Sequence, residues 1–129
     1  MMTCRRWIVA AAILAAPSAA MAHHSYAMFE TDRTLSVEGV VAKVEWVNPH
    51  VFVWVYVPDT EGGHDLFAFE TDPVSRLVAE GWAEDSLSPG EGVTIEYGPL
   101  RDGRNGGALL RATRSDGVVL ETRASRGRT

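Results

Sequence analysis

The most constraining feature of this sequence is a strictly alternating run, HVFVWVYV, at residues 50–57. Its four valines take every second position, and His50, Phe52, Trp54 and Tyr56 take the positions between them. Because side chains alternate across a β-strand, one face of this strand is aliphatic and the other carries the rings. The run therefore predicts a strand whose valines fill a core and whose rings lie on the opposite face.

Similar runs rich in β-branched residues surround this strand and are separated by turn residues. The sequence predicts further strands at 35–47, 66–70, 93–97, 108–113 and 118–121. Gly39, inside the first of them, predicts a bulge or sharp bend of the kind that small barrels need.

Between the third and fourth predicted strands the pattern becomes helical. Asp72 predicts an N-cap, Pro73 the first helical position and Gly81 the end of the helix. The apolar face is formed by Val74, Leu77 and Val78. Three strands, a helix and further strands are the element order of an OB fold. We therefore predict a mainly β protein, a small OB-like barrel of five to six strands with one helix between strands three and four.

The first 22 residues carry the pattern of a secretory signal peptide. Two arginines precede an apolar run at 8–16, and Ala-Met-Ala at 20–22 fits a small-x-small cleavage site. The run is too short for a stable transmembrane helix, so we expect no stable membrane span after cleavage. We predict a signal peptide at 1–22, a periplasmic or secreted barrel domain at 23–122 and a disordered basic tail at 123–129.

Cleavage would leave an acidic chain without cysteine. The single cysteine is Cys4, and ten basic against seventeen acidic residues follow residue 22, a net charge of −7. This charge repels phosphate backbones and argues against a nucleic-acid partner. The lack of cysteine after residue 22 excludes thiolate metal sites and cysteine catalysis. No spacing selects a catalytic pair, so we expect a binding protein rather than an enzyme.

Two adjacent histidines would open the exported chain. After cleavage at Ala22, His23 offers a free α-amine and its ring Nδ1, which together close one chelate ring on a metal ion. His24 offers a second imidazole, and His50, beside a proline turn, offers a third. This all-nitrogen donor set favours copper, with nickel and zinc less favoured.

Supporting residues for such a site are also present. Glu45, Glu70 and Tyr26 would add an oxygen or orient a ligand ring. The sequence leaves open whether the histidines converge in space. The alternative is that the two N-terminal histidines are solvated and that His50 hydrogen-bonds to a backbone carbonyl.

The aromatic face of the alternating strand supports a second hypothesis, a metal-free OB-type binding module. Its candidate platform consists of Trp46, Phe52, Trp54 and Tyr56. Such a module would hold a protein or a small ligand on these rings or at a sheet edge. Alternatively, the N-terminal segment covers the rings through Tyr26, Met28 and Phe29. We favour the covered arrangement, because an exposed stripe of three rings on a small protein is prone to association.

Several of these stretches together resemble a family of small exported bacterial proteins of unknown function. The resemblance covers residues 23 to about 120. It rests on His23-His24-Ser25, the W-x-N-P-H turn at 46–50, Gly81-Trp82 and the Asp102-Gly103 turn. Phe67 stands where the family often has tryptophan, and Ala79-Glu80 stands where a basic pair is common. The family implies an exported β-rich fold and no known activity.

From these residues we predict an exported periplasmic metal-binding protein. Its metal would be copper, bound through His23, His24 and His50 for storage, delivery or sensing. A periplasmic protein would be its partner.

Overall fold

The computed structural model describes residues 27–126 and shows six strands and two short helices in that range. In chain order they are β1 (Leu35–Glu45), β2 (Phe52–Pro58), β3 (His64–Glu70), α1 (Val74–Ala79), β4 (Gly92–Pro99), β5 (Gly106–Arg114), β6 (Val119–Glu121) and α2 (Arg123–Arg126). The predicted order of strands, with a helix between the third and the fourth, is confirmed.

The sheet closes on itself through one parallel pairing. The strand order is β3-β2-β1-β4-β5-β6, and β3 also pairs in parallel with β5, from Ala68 opposite Gly106 to Glu70 opposite Ala108. The other named pairs are antiparallel. Strands β1–β5 therefore form a closed barrel with β6 as an extra strand beside β5, and the predicted OB-like barrel is confirmed.

Strand β1 is long because it serves two neighbours. Residues 35–40 pair with β4 and residues 40–45 pair with β2. Gly39 lies where the partner changes, and a Cβ there would stand 2.7 Å from Val55 Cγ1. The irregularity in register lies further along, between Val41 and Lys43. Gly39 thus permits a close approach of β2 at the change of partner, and the bulge falls at a position that the sequence did not indicate.

The barrel interior is filled as the alternation of β2 predicts. Val51, Val53 and Val55 are fully buried. They pack in one cluster whose other large members include Phe69, Leu77, Trp82, Ile95, Tyr97 and Leu109. Burial of this apolar surface is the main favourable contribution to folding in a chain of this size.

The start of α1 differs from the prediction. Pro73, not Asp72, is the N-cap residue, and its own side chain makes no capping hydrogen bond. Instead, the Asn48 side chain accepts a hydrogen bond from the Val74 N–H at 3.1 Å. The predicted Asp72 cap was wrong because the cap comes from a turn 26 residues earlier in the chain, which a local pattern cannot reveal.

The C-terminal end also differs. Arg123–Arg126, predicted as the start of a disordered tail, form the short helix α2 after β6. The buried Thr122 leads into it and donates its hydroxyl to the Leu109 carbonyl at 2.7 Å. Residues 127–129 lie outside the described range. None of the helices between residues 27 and 126 has the length and apolar character needed to cross a membrane.

Candidate ligand-binding face

His50 is held in one orientation beside the segment that leads from β3 to α1. Its Nδ1 lies 2.9 Å from the Thr71 carbonyl oxygen and 3.4 Å from Glu70 Oε1. A backbone carbonyl only accepts hydrogen bonds, so this contact assigns a proton to Nδ1, and in the neutral imidazole the lone pair is then on Nε2. The expected alternative of a bond from His50 to a backbone carbonyl is confirmed for this nitrogen, and Nε2 is the atom able to bind a ligand.

The W-x-N-P-H turn positions this ring through backbone contacts. Val51 N–H donates to the Asp72 carbonyl at 3.3 Å, and Thr71 N–H donates to the Val51 carbonyl at 2.9 Å. The Asn48–Pro49 peptide bond is cis. Because Asn48 also caps α1, the turn joins the start of β2 to the start of the helix and carries His50 between them.

A small cavity of about 20 Å³ lies beside His50. It is lined by Phe29, His50, Glu70, Thr71, Asp72, Ala108, Leu109, Thr122 and Ala124. This volume suits one ion or one water molecule and no more. A larger ligand would have to bind at the mouth of the cavity.

The described residues supply only part of the predicted metal site. Within residues 27–126 no three histidine, aspartate or glutamate side chains are grouped closely enough to hold a metal ion. His23, His24 and Tyr26 lie outside this range. The three-histidine site therefore stays a prediction.

The two glutamates named as supporting residues have different surroundings. Glu70 lies beside His50 and lines the cavity. Glu45 pairs with Lys43 Nζ on β1. A hydrogen bond from Lys43, and next the Trp54 indole, hold the pKa of Glu45 below its ordinary value. Of the two, Glu70 is the one placed to orient the His50 ring.

His64 lies at the far end of β3 from the cavity. Its ring meets Tyr56 edge-on, with the ring centroids 5.1 Å apart. His64 and Glu70 are the first and last residues of β3. A strand of this length separates them by about 20 Å. His64 is not part of the His50 site.

The outer face of β2 forms one wall of an open groove of about 370 Å³. It is lined by Met28, Phe29, Phe52, Trp54, Ala68, Glu70, Leu100, Arg104 and Gly107. Phe29 is buried, whereas Met28 is 39% exposed. Met28 and Phe29 thus line one edge of the aromatic stripe, and Tyr26, the third residue of the expected cover, lies outside the described range.

The predicted aromatic platform is divided by the fold. Phe52 and Trp54 line the groove, whereas Tyr56 lies further along β2 and is 45% exposed. Trp46 packs half-buried against the core and does not line the groove. Trp54 Nε1 is buried and makes no hydrogen bond of ordinary geometry to a described residue, although it lies near enough to the Glu45 carboxylate to affect its pKa.

The groove and the His50 cavity are neighbours, because Phe29 and Glu70 line both. The far wall of the groove, which none of the sequence motifs indicated, comes from the loop between β4 and β5. On that loop the Arg104 backbone N–H donates to Asp102 at 3.1 Å and its side-chain Nε–H donates at 2.7 Å, and these bonds hold the pKa of this carboxyl below its ordinary value. The use of this same loop for ligand binding by OB folds is the signal that would have pointed to it.

A family model described as "Family of unknown function (DUF6152)" matches residues 11–110. The chain belongs to the DUF6152 family. This confirms the predicted membership in a family of unknown function. Comparisons with curated proteins and with solved structures find no match.

Proposed function

We propose that this DUF6152 protein is exported to the periplasm and binds one copper ion there, for storage, delivery or sensing. The observation that carries the proposal is the orientation of His50, whose Nδ1–H is bonded to the Thr71 carbonyl and whose Nε2 is left with its lone pair. Metal-binding histidines commonly donate their second ring N–H to a carbonyl or carboxylate in this way. Glu70 Oε1, 3.4 Å from Nδ1, supports the same orientation.

Two further nitrogens have to come from the start of the mature chain. Phe29 lines the His50 cavity, and the six residues 23–28 precede it in the predicted mature chain. An extended segment of that length spans up to about 20 Å. This reach is sufficient for His23 and His24 to return to the mouth of the cavity. Imidazoles and a free amine are ligands that Cu(II) prefers.

The charge around the cavity also favours a cation. Glu70 and Asp72 both line it, and no lysine or arginine among the described residues does. A carboxylate lining lowers the electrostatic cost of bringing a divalent ion to His50.

The test is made on protein exported by its own signal. Mass spectrometry should give His23 as the first residue, and titration against the competing chelator nitrilotriacetate should give one tightly bound copper ion per chain. His23→Ala, His24→Ala and His50→Ala should each weaken binding by about tenfold or more, the loss expected for one ligand or its support. His64→Ala is the matched control and should leave the affinity unchanged.

Two results would contradict the proposal. One is a mature chain that begins elsewhere than His23 and still binds copper equally well. The other is an equal effect of His64→Ala and His50→Ala, which would mean that exposed histidines bind copper without a defined site.

A metal-free binding module is the second candidate, and the open groove beside Trp54 favours it. A volume of about 370 Å³ falls in the usual range of small-ligand pockets. Such a module would bind an apolar ligand, or an apolar segment of a periplasmic protein, between Met28 and Trp54. Trp54→Ala should abolish that binding and leave copper affinity intact, whereas His50→Ala should have the opposite pair of effects.

A further inference from the structure

Three of the few basic residues in the body of the protein line a single pocket. Residues 23–110 contain fifteen acidic residues and five basic ones. The basic residues are Arg33, Lys43, Arg76, Arg101 and Arg104. Three of them, Arg33, Arg101 and Arg104, line a pocket of about 260 Å³ beside the β4–β5 loop. The carboxylate of Glu30 also lines this pocket, so the three guanidinium groups leave an excess of positive charge there. An excess of charge of one sign in a concave site raises the local concentration of ligands of the other sign.

The guanidinium groups in this pocket are only partly neutralised. Arg101 donates Nε–H to the Ala27 carbonyl at 3.0 Å and has no carboxylate partner within residues 27–126. Arg104 uses Nε for its ion pair with Asp102. Arg33 lies 3.4 Å from Glu30, a long ion pair in which the arginine is largely exposed. Exposed ion pairs are weak, so an incoming carboxylate can compete with Glu30 and Asp102 for Arg33 and Arg104.

The inner walls of the same pocket are apolar. They are formed by Leu35, Phe67, Tyr97, Pro99 and Leu100. The rings of Phe67 and Tyr97 meet nearly at a right angle, 83° between planes, with centroids 6.5 Å apart. They form a corner into which a flat apolar group would pack. Arg33 lines the same pocket as this corner.

We infer that this pocket binds a small organic carboxylate with an apolar body. The planar fork of an arginine matches the two oxygens of a carboxylate, and the aromatic corner receives the body of the molecule. The pocket shares Leu100 and Arg104 with the groove and no residue with the His50 cavity. Carboxylate binding is therefore independent of the proposed copper site.

The experiment is calorimetric titration of the mature protein with 3-phenylpropionate, and with the neutral 3-phenylpropanol as a probe of equal size. The carboxylate should bind at least about tenfold more tightly than the alcohol, because a charge-assisted contact is lost in the alcohol. Arg33→Gln and Arg104→Gln should each weaken carboxylate binding by about tenfold. Arg76→Gln, the same change at an exposed arginine of α1 outside the pocket, should have no effect.

Four results would overturn the inference. They are the absence of carboxylate binding, equal binding of the alcohol, equal effects of Arg76→Gln and Arg104→Gln, and inorganic phosphate binding as tightly as the carboxylate. The last result would mean that the arginines attract any anion and that the apolar corner has no role. Circular dichroism of each variant verifies that the barrel is intact.

Discussion

Gly39→Ala tests whether the barrel depends on the close approach of β1 and β2. An added Cβ would stand 2.7 Å from Val55 Cγ1 and closer still to the Tyr56 carbonyl oxygen. Carbon atoms in favourable contact lie about 3.5–4.0 Å apart, so β2 would have to move outward by about 1 Å. Val55 is fully buried, so that movement would disturb the core. Overpacking of this kind costs about 1–3 kcal/mol.

Gly92→Ala is the matched control for this change. Gly92 lies at the start of β4, opposite Val40, and the nearest atom to an added Cβ there is 4.0 Å away. Alanine should therefore be neutral or stabilise the protein by about 0.4–1 kcal/mol, because it restricts the unfolded chain.

Urea denaturation of the two variants measures the difference in free energy of unfolding, and thermal denaturation measures the change in melting temperature. A cost of 1 kcal/mol should lower the melting temperature of a domain of this size by about 4–8 °C. If Gly39→Ala were no less stable than Gly92→Ala, β2 would not approach β1 as the structure has it, and the account of Gly39 would be wrong.

Three further predictions concern single side chains. Asn48→Ala should lower the free energy of unfolding by about 1 kcal/mol, because the cap of α1 is lost. Asn105→Ala, the same change in an exposed loop, should leave the stability unchanged. The urea midpoints of the two variants measure the difference. Thr122→Val should cost about 1–3 kcal/mol in the same assay, because the buried hydroxyl bonded to the Leu109 carbonyl is lost, and a smaller loss would contradict that bond. Burial raises the pKa of Tyr97. The folded protein thus favours the neutral phenol. This preference adds to the free energy of unfolding below the ordinary tyrosine pKa, and the added stability is lost as the pH rises through the pKa of Tyr97 in the folded protein. Tyr97→Phe should remove this part of the alkaline destabilisation in pH-dependent unfolding, and an unchanged profile would refute it.

The β2 strand shows how much of the fold could be predicted from local pattern. Its alternation placed four valines on the core face. Val51, Val53 and Val55 are fully buried, and Val57 is partly buried and packs against the core. The same pattern placed Phe52 and Trp54 on the outer face, where they line the groove. The prediction succeeded because alternation across a strand is a property of the backbone and does not depend on which segments pack together.

The candidate sites were predictable only in part. His50 was named from its turn, but its orientation depends on the Thr71 carbonyl, 21 residues away. Arg33, Arg101 and Arg104 were not singled out, because nothing in the chain near residue 33 indicates that it meets the β4–β5 loop. Trp46 was assigned to the aromatic platform and instead packs against the core.

The sequence by itself determined the order of the elements, the inward face of β2 and the acidic balance of the chain. These properties follow from short-range backbone geometry and composition. The tertiary structure decided the closure of β3 on β5, the capping of α1 by Asn48 and the grouping of arginines beside Tyr97. Each of these joins segments distant in sequence, and their meeting is set by the packing of the whole core rather than by the preferences of either segment.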